Sequence, residues 1–323
     1  MGLSNSSSFL LITCVLVLSF LIPELLASYG DQDDRFQLCA AKCINRDCKS
    51  TPSTKHLSLI LRLMQWDCPQ DCRYHCMHLQ TQINQQNNEP IEQYYGKWPF
   101  VRILGMQEPA SVVFSILNGL QHYKGWQKFT RGTKHSHYPY ITLMRINGFL
   151  AVNSWVWSVI FHTRDFPFTE RMDYFSAMAS ILFSLHLAVV RIFGLRSTRG
   201  FIRIILMIVC YCFFIFHIFY LTLFNFDYGY NMFASVIVGV SHTMLWWTWA
   251  LANWRSRSSY AWKIIVVGLA VSMAMLLELM DFPPLFGLFD AHSLWHAATI
   301  PVIPYLWDFY LDDALYIIPI KIP

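Results

Sequence analysis

The chain has 323 residues, of which 55% are hydrophobic, 16% aromatic and only 14% charged, and its formal net charge is +4. Soluble domains carry about a quarter charged residues, so this composition excludes an ordinary soluble enzyme and indicates a polytopic membrane protein. The small charge excess argues against nucleic-acid binding, and no P-loop, dinucleotide fingerprint or basic-aromatic surface is present.

The run Phe9 to Ile22 followed by the small pair Ala27-Ser28 predicts a cleaved signal peptide over residues 1–28. Residues 29–98 are polar and carry Cys39, Cys43, Cys48, Cys68, Cys72 and Cys76. Six cysteines behind a signal peptide read as a disulfide-rich lumenal domain, with about 15 possible pairings among which spacing alone does not choose. The rival is a zinc knot of Cys72, His75, Cys76 and His78; it lacks paired C-x2-C spacing, and thiols in that compartment tend to oxidise. Gln80 to Asn88, without apolar periodicity, reads as a linker.

From Trp98 onward, seven apolar runs approach the roughly 20 residues that cross a bilayer. They fall near 100–121, 141–163, 172–194, 201–224, 231–253, 262–280 and 293–312, the first interrupted by Glu108-Pro109. The expected architecture is therefore all-α: a seven-transmembrane-helix bundle over residues 99–323 behind the cysteine-rich domain. Lys124, Lys128, Arg131 and Lys134 in the first loop, Arg196 and Arg199 in the third, and Arg255 and Arg257 in the fifth put those loops in the cytosol. The fourth and sixth loops hold Asp227, Asp281 and Asp290 without a Lys or Arg, and face the lumen. Trp246, Trp247, Trp249 and Trp254 read as an interfacial belt.

That topology gathers a polar constellation at one membrane depth. Ser158 and His162 occupy the last lumenal turns of the second helix, Asp173 the entry of the third, and His292 and His296 the entry of the seventh. Residues four apart share a helix face, so His292 and His296 can turn to one point. Three imidazoles with an open fourth position form a known kind of catalytic zinc site, and ionisable residues inside a bilayer are costly and commonly functional. Taken singly, a membrane histidine is more often an interhelical hydrogen-bonding residue, the reading given to His186, His217 and His242. Jointly the five residues suggest a metal-dependent lipid hydrolase. Asp165, Glu278, Asp281 and Asp290 are candidates to orient the ligands, although Asp290 can equally cap the last helix.

The pattern Ser158-Val-Ile-Phe-His162, Asp173, and His292-Ser-Leu-Trp-His296 resembles the CREST superfamily of seven-helix membrane hydrolases. The strings Phe161-His-Thr-Arg-Asp165, Met280-Asp-Phe-Pro-Pro284 and Asp290 to Ala297, with the six-cysteine domain, resemble its post-GPI-attachment-to-proteins factor 3 branch. The resemblance implies a phospholipase A2-type activity that removes the sn-2 fatty acid of protein-linked GPI anchors in the ER or Golgi membrane. It also implies Zn2+ on His162, His292 and His296, with Ser158 and Asp173 in catalysis. In the expected chemistry Asp173 takes the proton of the attacking water and Ser158 helps to stabilise the oxyanion. A serine nucleophile is disfavoured because Ser158 lacks a G-x-S-x-G setting. The other readings are a ceramidase-like amidase and a nonenzymatic receptor or chaperone for GPI-anchored cargo.

Overall fold

The structure is a computed structural model that describes residues 28–48, 57–195, 200–224 and 226–317. Residues 1–27 of the expected signal peptide, Arg196 and Arg199 lie outside these. Among the described residues the regular elements are helices; pairing of the β type is limited to three isolated bridges.

The N-terminal cap contains α1 (Tyr29–Gln32), α2 (Asp34–Asp47), α3 (Leu59–Leu63) and α4 (Cys68–Gln86). The start of α4 is fixed by a capping box, in which Asp67 accepts from Gln70 N at 2.7 Å and Gln70 Oε1 accepts from Asp67 N at 3.1 Å. Cysteines four apart share a face, so Cys39 and Cys43 of α2 meet Cys76 and Cys72 of an antiparallel α4. The pairs Cys39–Cys76, Cys43–Cys72 and Cys48–Cys68 nest one inside another. This pairing overturns the zinc-knot alternative, since Cys72 and Cys76 are both spent in disulfides. His75 and His78 turn instead to Asp71 and to the Phe100 carbonyl.

The rest of the chain forms long helices: α5 (Pro109–Gly132), α6 (Ile141–Thr163), α7 (Pro167–Ile192), α8 (Gly200–Leu223), α9 (Tyr228–Ala252) and α10 (Trp254–Glu278). A last apolar run is broken around Pro301 into α11 (Ala291–Thr299) and α12 (Val302–Ile317). By length and composition α7, α8 and α10 can cross a membrane. Packing closes a ring in which α5 meets α6, α6 meets α7, α7 meets α9, α9 meets α10, and α11 with α12 bridges α10 back to α5. Helix α8 lies outside the ring against α7 and exposes Phe201, Ile205, Ile208 and Phe216. A row of that kind suits lipid and would be untenable in water.

Three expectations need correction. Residues 80–86, expected to belong to a linker, form the closing turns of α4, which ends at Gln86. The first apolar run begins at Pro109, not near residue 100, and continues to Gly132. Pro109 starts this helix rather than interrupting it, because its missing N–H falls among the first-turn donors that have no helical partner anyway. Lys124, Lys128 and Arg131 consequently sit in the closing turns of α5 and not in a loop. Trp246 and Trp249 are not a belt either, being only 2% and 6% exposed. They pack edge-on against Phe309 where Ala250 and Ala261 leave room, while Trp254 keeps a surface position.

The cap is keyed to the bundle by Trp66. Its indole N–H donates to the Gly105 carbonyl at 2.9 Å, and the guanidinium groups of Arg102 and Arg164 lie over its ring, 4.2 and 3.8 Å from its centroid. Arg164, two residues beyond His162, also donates to Gln70 Oε1 of α4 at 2.8 Å. The end of the bundle that carries His162 is thus the end beneath the cap.

Candidate metal centre

Two helices supply the imidazoles. His162 lies in the last turn of α6, and His292 and His296 occupy successive turns of α11, which starts where Asp290 caps Ser293 N at 2.9 Å. His162 and His296 are buried, 2% and 3% exposed. His292 Nε2 stands 3.4 Å from His162 Nε2 and 2.9 Å from His296 Nε2, and one ligand atom from each of the three residues falls within 4.8 Å of the others. Ligands about 2.05 Å from a tetrahedral zinc are spaced about 3.3 Å apart, so the cluster is close to the size such an ion needs.

The opposite faces of the rings are already engaged. His162 Nδ1 is 2.6 Å from Glu108 Oε2, His292 Nδ1 is 2.8 Å from Glu278 Oε2, and His296 Nδ1 is 3.4 Å from Ser115 Oγ. A carboxylate facing Nδ1 assigns the proton to that nitrogen and leaves the Nε2 lone pair free. With the carboxylates behind them, His162 and His292 turn those lone pairs toward one another and toward His296. A shared cation would satisfy that arrangement, and the donor set suits zinc.

Ser158, one turn before His162 on α6, is buried, and its hydroxyl pairs with Ser115 Oγ at 2.9 Å. It therefore joins the centre from behind His296. Asp173 lies in the second turn of α7, within electrostatic reach of His162, His292, Lys97 and Glu108. Its carboxylate makes no side-chain hydrogen bond or ion pair among the described residues. All five residues singled out from the sequence thus come together.

The candidate orienting carboxylates divide. Glu278 takes that position on His292, whereas Asp290 caps α11. Asp281 accepts from the Trp98 indole at 2.9 Å and from Gln93, and Asp165 pairs with Lys97 at 3.1 Å. Sequence reasoning missed Glu108, Ser115 and Lys97. Glu108 is doubly tied to its ligand, since its backbone N–H also donates to the His162 carbonyl at 3.0 Å. The available signal was a carboxylate directly before a helix-starting proline at the depth of the histidines. Lys97 reaches Glu108 Oε1 at 2.5 Å. Burial opposes its charge, but Glu108 and Asp165 outweigh burial and hold the ammonium above the ordinary lysine range.

Fold and site define a helical membrane protein in which a disulfide-stapled cap covers a three-histidine cluster. The Per1-like family profile matches residues 58–314. The GPI-specific phospholipase A2-like PGAP3 of Mus musculus is 39% identical over 298 residues, covering 90% of this chain and 91% of that protein. The protein of the same name from Xenopus tropicalis is 37% identical over 309 residues, 94% of this chain and 95% of the relative. Protein PER1 homolog of Schizosaccharomyces pombe is 37% identical over 318 residues, 97% of this chain and 94% of the relative. No solved structure matches. The chain belongs to the Per1-like family, in agreement with the resemblance drawn from its motifs.

Proposed function

We propose that this protein is a zinc-dependent, phospholipase A2-type hydrolase that removes the sn-2 fatty acyl chain from GPI anchors on proteins, the first half of anchor remodelling. The observation that carries the reading is the convergence of three Nε2 atoms whose rings are held from behind by Glu108, Glu278 and Ser115. The names of the relatives supply the substrate class. The same reading takes residues 1–28 as a signal peptide, 29–98 as a lumenal cap with its linker, and 99–323 as a seven-span domain in the ER or Golgi membrane, with the centre facing the lumen.

His162, His292 and His296 would hold the metal. A zinc ion so held supplies Lewis acidity, polarising an ester carbonyl and making water acidic enough to react near neutral pH. Asp173, with an uncommitted carboxylate beside the imidazoles, accepts a proton from the attacking water and returns it to the departing glycerol oxygen. Ser158, kept at this depth by Ser115, offers a hydroxyl for the oxyanion. One water is consumed, and a free fatty acid and a lyso-anchor result.

The test is the lipid mass spectrum of GPI anchors from cells lacking the activity, restored with the wild type or Asp173→Asn at equal membrane abundance. Anchors that lose their sn-2 chain with the wild type alone support the reading. Equal remodelling by both removes Asp173 from the chemistry, and no remodelling by either sinks the assignment.

A further inference from the structure

The segment joining cap to bundle makes contacts that a passive linker would not need. Residues 94–97 form a tight turn, with Tyr94 N donating to Lys97 O at 2.7 Å and Lys97 N to Tyr94 O at 3.1 Å. Its central residues, Tyr95 and Gly96, both have positive φ, 53° and 77°, the requirement of a two-residue turn of the primed type. The cap holds this turn from several sides. Tyr94 packs on Phe36 with ring centroids 4.9 Å apart, Tyr95 N donates to Asp31 Oδ1 at 2.9 Å, Gly96 N donates to Ser28 Oγ at 2.8 Å, and Gly30 N donates to Gln93 O at 3.2 Å. Gly30 lies so close that an added Cβ would stand 2.6 Å from the Gln93 carbonyl oxygen.

From this braced turn two side chains reach into the bundle. Trp98 donates to Asp281, three residues beyond Glu278. The Lys97 ammonium bridges Glu108 Oε1 and Asp165 Oδ2 at 2.5 and 3.1 Å, and lies 4.3 Å from the centroid of Phe161, the neighbour of His162. Each oxygen of Glu108 therefore has one partner, Lys97 on Oε1 and His162 on Oε2. A carboxylate held at one oxygen only can rotate; held at both, it fixes the ring it faces.

We propose that Lys97 is a positioning residue of the three-histidine centre: it locks Glu108 in the orientation that aims His162 Nε2 at the other two imidazoles. The cysteine-rich cap, which anchors the turn bearing Lys97, is thereby a working part of the centre and more than a cover. This rests on the metal reading above.

The experiment uses the full chain, purified in lipid nanodiscs, with zinc content measured by mass spectrometry and affinity by competition with a chromophoric chelator. Thermal unfolding is recorded alongside. Wild type is expected to hold one zinc. Lys97→Met is expected to bind it about 10- to 100-fold more weakly, the usual effect of removing an outer partner of a ligand. Lys97→Arg, which restores two charge-assisted contacts, is expected to recover most of that loss at the same unfolding midpoint as Lys97→Met. If Lys97→Met does not assemble, Lys97→Gln, which keeps one N–H for Glu108 but no charge, is expected to fall between Arg and wild type on one side and total loss on the other. Wild-type affinity in Lys97→Met or Lys97→Gln overturns the positioning role while the metal reading stands, and so does an Arg variant no better than Met. A wild type that binds no zinc overturns both.

Discussion

The two ends of the helix bundle each bury a polar cluster, and they satisfy it in opposite ways. Away from the cap, Arg191 of α7 donates to both oxygens of Asp313 of α12 at 2.6 Å, and the Tyr260 hydroxyl adds a third contact to Asp313 at 3.1 Å. Donors meet acceptors there, charge meets charge, and Trp249 closes over the guanidinium at 5.5 Å. Beneath the cap, three imidazoles are braced outward by Glu108, Glu278 and Ser115 and present their remaining nitrogens to one another. Buried polar groups are nearly always paired. A cluster that is complete holds helices together, whereas one organised around a shared point invites a ligand.

The largest effect should separate the two ends most sharply. Asp173→Asn keeps the size of the side chain and removes the carboxylate proposed as the base, so turnover of lipid should fall about 10²- to 10⁴-fold with the unfolding midpoint unchanged. Kinetics on purified protein with a diacyl GPI substrate checks this; retention of most activity would return Asp173 to a role in capping or packing. At the other end, Asp313→Ala should cost about 3–5 kcal/mol of stability by leaving Arg191 buried and uncompensated. Activity per folded molecule should stay near wild type. The pair Arg191→Met with Asp313→Leu should recover much of the lost stability, which chemical denaturation in detergent would measure. If Asp313→Ala instead abolished turnover in folded protein, the division between a structural end and a chemical end would fail.

A smaller effect belongs to Glu278→Gln. The amide can still accept from His292 Nδ1, but as a neutral group it supports the ligand less, so zinc affinity should drop about 10- to 100-fold. Chelator competition reads it, and an unchanged affinity would mean that the 2.8 Å contact does not tune the ligand.

What was legible in the sequence follows the same division. His292 and His296 declared themselves by helical spacing, and His162 by its place at the end of an apolar run, because local periodicity carries that information. The cap's pairing is not chosen by spacing alone: Cys39 and Cys43, Cys72 and Cys76 repeat every four residues, and only the antiparallel packing of α2 on α4 converts that repeat into nested bridges. Glu108 is half-legible, since a proline after a carboxylate can interrupt a helix or begin one, and here it begins α5. Ser115 and Lys97 were not legible, for they join the site only through tertiary docking of α5 and of the turn at 94–97. Trp246 and Trp249 show the limit of composition, because indoles near a helix end suit an interface and a core equally well until Ala250 and Ala261 make room for them.

The smallest expected effect tests whether distance alone signals strength. Lys128 and Asp308 approach to 2.6 Å, as close as Arg191 and Asp313, yet their side chains are 59% and 35% exposed against 10% and 3%. Water competes for the first pair, and holding a flexible lysine in one rotamer costs side-chain entropy, so exposed pairs contribute roughly 0–1 kcal/mol. Lys128→Ala should therefore shift unfolding by no more than about 1 kcal/mol, and less as salt is raised. Arg191 has no such alternative partner in water, because its surroundings exclude it. If Lys128→Ala proved as costly as Asp313→Ala, burial would not be the variable that distinguishes these ion pairs, and the contrast drawn between complete and organised clusters would have to be rebuilt on contact geometry.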